Sequence, residues 1–349
     1  MVGLDIGTSG VRAAELTLGK GSATLERFGQ VALPPGAVRN GEVIDSEAVA
    51  AALRQLWAQA KFSSKKVVVG VANQKVVVRQ VDLPWLPAAE LRASLPFQVQ
   101  DVIPMPVDEV ILDFHPLEEF TNEAGGRMVR VLLVAAAREM VDSALLAVEK
   151  AGLQPSMVDL NSFAVLRSLV GRDSGLGSLQ AEAVVDIGAS VTNIIVHEGG
   201  VPRFVRILLM GGADITDAVA ERLGVPFDQA EAVKQSTGIE AFSGGTEAHP
   251  ASRAIEATGS ALVDEVRSSL DYYLAQPGAV RIHRVVLSGG GSRLTGLATR
   301  LSAATRLPVE AARPISLLRL GKTGLTQEQL AYVEPMITVP VGLAMGIAS

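Results

Sequence analysis

The sequence writes one five-residue bend twice. "DIGTS" runs from Asp5 to Ser9 and "DIGAS" from Asp186 to Ser190, about half the chain apart. Each copy follows one apolar run ("VGL", "AVV") and precedes another ("VRAAELTL", "VTNIIVHE"). A short Gly-bearing turn between β-branched runs reads as a β-hairpin. A repeated hairpin predicts a duplicated architecture, and a third strand follows each copy: "ATLERFGQVAL" in the first half, "VPRFVRILLMGG" in the second.

The remaining segments fill in two α/β halves. Ser46 stands before "EAVAAALRQLWAQA", whose apolar residues recur at helical spacing, so it reads as an N-cap. "KKVVVGVA" and "KVVVRQVDL" follow as strands joined at Asn73-Gln74. Prolines then cluster in "PWLPAAELRASLPFQVQDVIPMP", predicting a domain border and a helix kinked at Pro96. A hairpin and an amphipathic helix ending at Gly152 complete a compact insert over residues 84–154, and the strand "PSMVDL" follows it. Trp85, at its border, reads either as a partner anchor or as a packed interdomain residue. "NSFAVLRSLV" is a helix and "GRDSGLGSLQ" a linker. After the second meander come two helices, a polar Gly/His/Pro loop, a long helix from about Ala251 to Ala275, the strand and Gly-rich turn of "RIHRVVLSGGGSRLTGL", and a short small-residue helix in "VPVGLAMGIAS".

Composition excludes several functions. With 48% hydrophobic and 19% charged residues the chain has the means to bury two cores. A net charge of −6 without a basic run argues against nucleic acid as the partner. There is no cysteine, which removes disulfides, thiol catalysis and Cys-ligated metal. The longest pure apolar run, Val131 to Ala137, falls far short of the roughly 18 residues that read as a membrane span. His115, His197, His249 and His283 are scattered without ligand spacing.

The acidic bend has a definite chemistry. Its turn frees backbone N–H groups that can cradle phosphate, and Gly lets them approach closely. The Asp carboxylate, however, repels phosphate: like charges 4 Å apart cost about 1 kcal/mol in water and several times more in a dry site. A divalent cation between them reverses the sign, and Mg²⁺ is commonly shared by carboxylates, phosphates and water. Two such bends facing each other would suit Mg–nucleotide. Taken singly, each reads first as an ordinary hairpin with Asp and Ser stabilising the turn. "VVLSGGGSRLTGL" can bring backbone close to a ligand at a helix start, although it matches neither the dinucleotide nor the P-loop pattern.

In order and separation, these segments resemble the actin/Hsp70/sugar-kinase ATPase superfamily. "DIGTSG" and "VVDIGASVT" resemble its two phosphate loops, "VLSGGGSRLTGL" its adenosine loop, and "VDLNSFAVL" and "VPVGLAMG" the two helical connectors that hinge the halves. The resemblance implies an α/β, actin-like (ribonuclease H-like) duplicated two-domain fold. Subdomain 1A would take residues 1–83, 155–178 and 338–349; the inserted 1C, 84–154; 2A, 179–212 and 255–337; and 2B, 213–254.

An α/β insert after "KVVVRQVDLP" is similar to that of FtsA and of the PilM family of type IV pilus assembly proteins. "LRASLPFQVQDVIPMPVDEVILDFHPL" looks most like the latter. The chain also stops just after the second connector, where FtsA carries a linker and a membrane-binding helix.

Carried over by position, the resemblance implies ATP or ADP with Mg²⁺ as ligand. Asp5 and Asp186 would hold the water shell of the metal. Gly7, Thr8, Ser9, Gly10, Gly188, Ala189, Ser190 and Thr192 would meet phosphate, with Arg12 beside them. Gly211, Gly212, Gly289 and Gly290 would flank ribose and α-phosphate. Glu231 and Lys234 match adenosine contacts, and also read as a solvated i,i+3 ion pair. Asp159 and Asn161 are candidates for orienting water in a slow or absent hydrolysis, Asp159 equally as a strand terminator.

The implied function is a cytoplasmic scaffold of pilus assembly, peripheral to the inner face of the cell membrane through a protein partner. That partner is the N-terminal cytoplasmic segment of PilN, in a groove between 1A and 1C, with other inner-membrane assembly proteins and self-association beyond it. The alternatives are an FtsA-like division filament and, less well matched, a sugar kinase. The kinase reading lacks the Asn-Asp connector and the Cys-rich zinc motif of the short bacterial enzymes.

Overall fold

The structure, a computed structural model, describes residues 1–19, 21–170, 180–239 and 250–346. All but Gln180 of the expected linker, and the Gly/His/Pro loop up to residue 249, lie outside the described residues.

The first bend sits between β1 (Val2–Ile6) and β2 (Gly10–Gly19), and β3 (Ser22–Ala32) completes an antiparallel meander. A two-residue ladder of β4 (Val38–Arg39) and β5 (Glu42–Val43) follows, and then α1 (Ser46–Ala60). Asp45, one residue before the expected Ser46, caps α1: its carboxylate accepts from the N–H groups of Glu47 and Ala48, both at 3.0 Å. β6 (Lys66–Val71) runs parallel to β1. Every residue of β1 is buried, as is β6 after its first, which is why both read as unbroken apolar runs.

β7 (Val76–Pro84), α2 (Ala88–Gln98), β8 (Val110–Thr121) and β9 (Arg127–Ala137) form a separate unit. Its three strands pair in the order β7-β9-β8, with Leu91 and Leu95 of α2 packed on Val129, Val131 and Leu133. β7 was expected in the first core. It pairs instead along its whole length with β9, the central strand of the small sheet. Trp85 also belongs to this unit: the Arg127 guanidinium stacks 3.7 Å from its ring centre and its Nε1–H donates to Glu119.

α3 (Arg138–Lys150) was expected within the insert, yet its Ala144, Ala147 and Val148 pack in the first core with Leu4, Leu53 and Val67. β10 (Gln154–Leu160) extends the first sheet beside β6, and α4 (Asn161–Val170) leaves from its end.

The second half repeats the scheme. β11 (Ala181–Ile187), β12 (Thr192–Glu198) and β13 (Val201–Leu208) make the meander. α5 (Gly212–Leu223), α6 (Phe227–Thr237) and α7 (Pro250–Leu274) follow. β14 (Ile282–Ser288), α8 (Leu297–Thr305) and β15 (Val309–Ala311) complete the second sheet, in the order β13-β12-β11-β14-β15. The first sheet reads β10-β6-β1-β2-β3 before its extra edge strand, the same arrangement of three antiparallel and two parallel strands. The duplication announced by the two bends is therefore a duplication of sheets.

The chain then crosses back. β16 (Arg319–Leu320) pairs with β3, and Val333 of α9 (Gln327–Val333) packs with Leu16, Leu25 and Phe28 of the first lobe. Residues 319–337, expected in the second lobe, thus pack mainly on the first, with Tyr332 under Arg293 and Pro335 O receiving Gly289 N–H among their contacts to the second. α10 (Thr338–Met345) packs against α4 between the lobes. Gly342 makes that contact feasible, since a Cβ there would stand 1.7 Å from the carbonyl oxygen of Ala164. Arg167 of α4 donates to the Gly342 carbonyl at 2.6 Å and pairs with Asp159 at 2.7 Å.

Candidate functional site: a crevice between two acidic bends

The paired sheets point equivalent strand ends at one another. Asp5 stands opposite Arg12 across β1–β2, and Asp186 opposite Asn193 across β11–β12. Each turn is closed by its own backbone: Gly7 N–H donates to Gly10 O at 3.0 Å and Gly188 N–H to Val191 O at 2.9 Å. The turns meet, with Thr8 Oγ1 and Ser190 Oγ 2.5 Å apart. Asp5, Gly7, Thr8, Ser9 and Arg12 line one crevice with Asp186, Gly188, Ala189, Asn161 and Asn193. Its free volume is about 70 Å³.

This crevice is electrostatically unfinished. Burial pushes Asp186 up to about 6; hydrogen bonds from Ser288 and Asn193 work against that rise, and the charge of Asp5 adds to it. Asp5 is raised as well, by burial, against the opposing charge of Arg12 and a hydrogen bond from Asn161. Arg12 supplies the local cation, its Nη1 3.7 Å from Asp5 and its Nη2–H donating to Ser9 Oγ at 3.4 Å. Asn161 turns Nδ2 toward Asp5 at 3.5 Å, while its Oδ1 is buried without a hydrogen-bond partner. Two carboxylates and a free amide oxygen suit a hard dication that keeps its waters and shares phosphate oxygens. Among the described residues no group of three or more His, Cys, Asp or Glu is placed to cage a metal. The residues therefore fit a magnesium ion brought in with phosphate.

On the other side of the Gly188 turn lies a second cavity of about 310 Å³, lined by Gly212, Ile215, Glu231, Lys234, Leu262, Gly290 and Arg293. Gly212 N–H donates to Gly188 O at 2.9 Å, so this cavity and the crevice share a wall. Lys234 is buried and spends its three N–H groups on Gly212 O (2.9 Å), Thr216 Oγ1 (2.8 Å) and Glu231 (2.7 Å). Burial would raise Glu231, but hydrogen bonds from Lys234, Thr216 and Gln235 hold it below the usual range. The i,i+3 pair is thus a built part of the cavity wall. A larger cavity, about 660 Å³, sits at the opposite end of β11 beside Glu182, His197 and Arg284, away from both bends.

Most residues singled out from sequence line one of the two cavities; Asp159, Thr192, Gly10, Ser190, Gly211 and Gly289 line neither, and Gly211 N–H donates to Asp214 at 2.7 Å. Asp159 faces Arg167 at the hinge and is not part of the crevice lining. Thr192 is fully buried and its hydroxyl donates to Met210 O at 2.7 Å, so it does not reach the phosphate side. Gly10 shapes the first turn through its carbonyl, and Gly289 N–H donates to Pro335 O at 2.8 Å beside the glycines of the second cavity.

Sequence reasoning missed Asn193 and Ser288. Asn193 lies seven residues after Asp186, as Arg12 lies seven after Asp5; superposing the two repeats would have found it. Ser288 sits beside Asp186 on β14, its Oγ 2.7 Å from Thr338 Oγ1 at the start of α10. Gly41 and Val43, between the first meander and α1, also line the crevice.

A meander plus two parallel strands, built twice and hinged by two helices over an acidic crevice, defines an actin-like protein. Solved structures of that fold superpose on the whole chain. EutJ from Carboxydothermus hydrogenoformans gives a TM-score of 0.55 at 16% identity, covering 99% of this chain and 88% of its own. MreB5 of Spiroplasma citri, solved bound to AMPPNP, gives 0.54 at 12% identity, covering 99% and 97%.

The particular assignment is sharper: the chain belongs to the type IV pilus assembly protein PilM family, whose model matches residues 3–347. A chain of the solved PilM-PilN type IV pilus biogenesis complex superposes at a TM-score of 0.86 with 29% identity, covering 99% of this chain and 97% of that one. Cell division protein FtsA of Escherichia coli (strain K12) is 26% identical over 391 residues, covering 98% of this chain and 89% of the relative. FtsA of Bacillus subtilis (strain 168) is 24% identical over 262 residues, or 68% of this chain and 58% of the relative's length. The insert and the fold thus follow the expected actin-like, FtsA-related branch, on its pilus-assembly side.

Proposed function

We propose that the protein is an actin-like scaffold of type IV pilus assembly that binds Mg–ATP or Mg–ADP in the crevice. It would hold the N-terminal cytoplasmic segment of PilN between the first lobe and the insert. The observation that carries this reading is the meeting of two acidic bends across one crevice in a chain of the PilM family. Asp5 and Asp186 would hold the hydrated metal, which when bound cancels the carboxylate charge facing the phosphates. The N–H groups and hydroxyls of residues 7–9 and 188–190 would take phosphate oxygens, with the Arg12 guanidinium beside them. The 310 Å³ cavity beyond Gly212 would take the nucleoside.

Asn161 Oδ1, a buried acceptor without a donor, is the group suited to orient an attacking water. With Asp159 engaged at the hinge and no histidine among the described residues that line the crevice, turnover would be slow.

For the partner, we take the insert as the paired segment 76–137. Ile111 on the insert and Ile44 and Leu146 on the first lobe are large apolar side chains that remain exposed, which supports an apolar partner on these two bodies. No helix among the described residues is long and apolar enough to cross a membrane, so location at the inner membrane from the cytoplasmic side would come through such a partner. Titration of a PilN N-terminal peptide with and without Mg–ATP tests the assignment. Binding that differs between the two states is expected; no binding in either would refute it.

A further inference from the structure

We propose that Tyr332 is a positioning residue for the nucleobase: it holds the Arg293 guanidinium at the wall of the second cavity, where that plane stacks on a purine. The inference rests on the nucleotide reading above and adds to it the side chain that favours one class of base.

Two observations carry it. The Arg293 guanidinium lies 3.9 Å from the centre of the Tyr332 ring, and Arg293 is at the same time part of the wall of the 310 Å³ cavity. A guanidinium is planar and stacks on aromatic rings through either face. Tyr332 takes one face, and the other can serve a flat ring in the cavity. No carboxylate pairs with Arg293 among the described residues, so the tyrosine is what orients it. A side chain already held loses less freedom when a ligand stacks on it.

The rest of the wall says what kind of ring fits. Ile215, Leu262 and Leu294 are apolar. The charged pair of that wall, Lys234 and Glu231, is spent on itself, on Gly212 O and on Thr216. Such a wall takes a flat, uncharged ring more readily than a charged group. A purine covers more of the guanidinium plane than a pyrimidine does.

Tyr332 is itself fixed from the first lobe. It stands on α9, whose start is closed by a reciprocal capping box between Thr326 and Gln329. Val333, the next residue, is buried with Leu16, Leu25 and Phe28. The residues that follow hold the Gly-rich turn that carries Arg293. Pro335 O accepts from Gly289 N–H at 2.8 Å and from the Ser288 hydroxyl at 3.1 Å, and a Cβ at Gly290 would stand 3.8 Å from Met336. Ring and guanidinium are thus brought together by backbone contacts beside them. Tyr332 is 51% exposed, so replacing it removes the stack without opening the core.

The test separates base from phosphate by isothermal titration with Mg–ATP, Mg–UTP and Mg–tripolyphosphate. Tyr332→Ala should weaken Mg–ATP about fivefold, the weight of one exposed cation–π contact. It should weaken Mg–UTP less than twofold and leave Mg–tripolyphosphate unchanged. Tyr332→Phe keeps the ring face and should stay within twofold of wild type for all three. Because Tyr332 acts through Arg293, Tyr332→Ala should cost less than twofold on an Arg293→Ala background, where a merely structural tyrosine would add its full loss.

Unchanged Mg–ATP affinity in Tyr332→Ala, a Phe variant as weak as the Ala variant, additive losses in the double variant, or an equal loss toward Mg–tripolyphosphate would overturn the assignment. Wild-type protein is the reference. If it binds no Mg–ATP, the nucleotide reading itself falls and this role with it; if it binds and Tyr332→Ala binds equally well, only the role of Tyr332 falls.

Discussion

Replacing Asp186 by asparagine should make the protein more stable while removing its capacity for Mg–nucleotide. The carboxyl ionises near 3.8 in the unfolded chain and near 6 in the folded one. Between those values the native state holds the extra proton, so the stability contributed by the neutral group is fully present below about 3.8 and lost as pH rises through 6. The shift corresponds to about 3 kcal/mol of burial cost at pH 7.5. Asparagine carries no charge to bury, but one of the two accepting oxygens becomes an NH2 donor facing Ser288 and Asn193, which forfeits about 1 kcal/mol. The net gain is about 2 kcal/mol at pH 7.5, or about 3 °C in melting temperature for a chain of this length.

At pH 5 the wild-type carboxyl is mostly protonated and the gain shrinks below about 1 kcal/mol. Thermal melts in EDTA at the two pH values measure this, and a Mg–nucleotide titration measures the loss of binding. A variant that melts at or below wild type at pH 7.5, or whose advantage persists undiminished at pH 5, would refute the claim that an uncompensated buried charge dominates the crevice.

Lys234→Met should destabilise the second lobe by about 2–4 kcal/mol in urea titrations, because half-buried Glu231 loses its cation and Thr216 and the Gly212 carbonyl each lose a donor. Gly70→Ala would place a Cβ 2.1 Å from Asn161 Oδ1; an overpacking cost of about 1–3 kcal/mol and a larger fall in ATP turnover than in ATP affinity are expected, from melts and steady-state kinetics. Asp159→Asn should cost about 1–2 kcal/mol by breaking the half-buried pair with Arg167. It should leave Mg–nucleotide affinity within twofold of wild type, whereas a large loss of affinity would return Asp159 to the site.

What could be read in the sequence was local, and what escaped depended on partner choice. The acidic bends were legible because an Asp-Ile-Gly between apolar runs dictates its own hairpin. "KVVVRQVDL" says strand with equal clarity, but nothing within it says which sheet: β9, not β6, is the neighbour it pairs with. The apolar face of Arg138–Lys150 likewise fits any apolar floor, and Leu53 and Val67 supply one in the first core. Thr192 and Asn193 show the limit of reading by motif. Successive residues of a strand face opposite ways, so one step decides which reaches the crevice, and the motif resemblance favoured the wrong one. Asp159 and Asn161 are two apart, a spacing that would share a face within a strand, but the chain turns from β10 into α4 between them.

The two copies have diverged in a way that explains how the crevice is poised. Opposite Asp5 the first lobe sets a cation, Arg12, and beside it Gly70, whose missing side chain leaves room for Asn161. Opposite Asp186 the second lobe sets the neutral Asn193, and beside it Ser288. One lobe therefore meets its own carboxylate with a cation and the other chiefly with hydrogen bonds, the weaker pull of Arg12 reaching Asp186 as well. A neutral donor compensates a buried carboxylate less than a cation does, so the second lobe is where the charge of a dication is missed most. Ser288 also touches Thr338 at the head of α10, and Asn161, which touches Asp5, is itself the head of α4. Each carboxylate is thus one side chain away from the start of a hinge helix. A cation that relieves either charge is therefore expected to alter contacts at the start of a hinge helix.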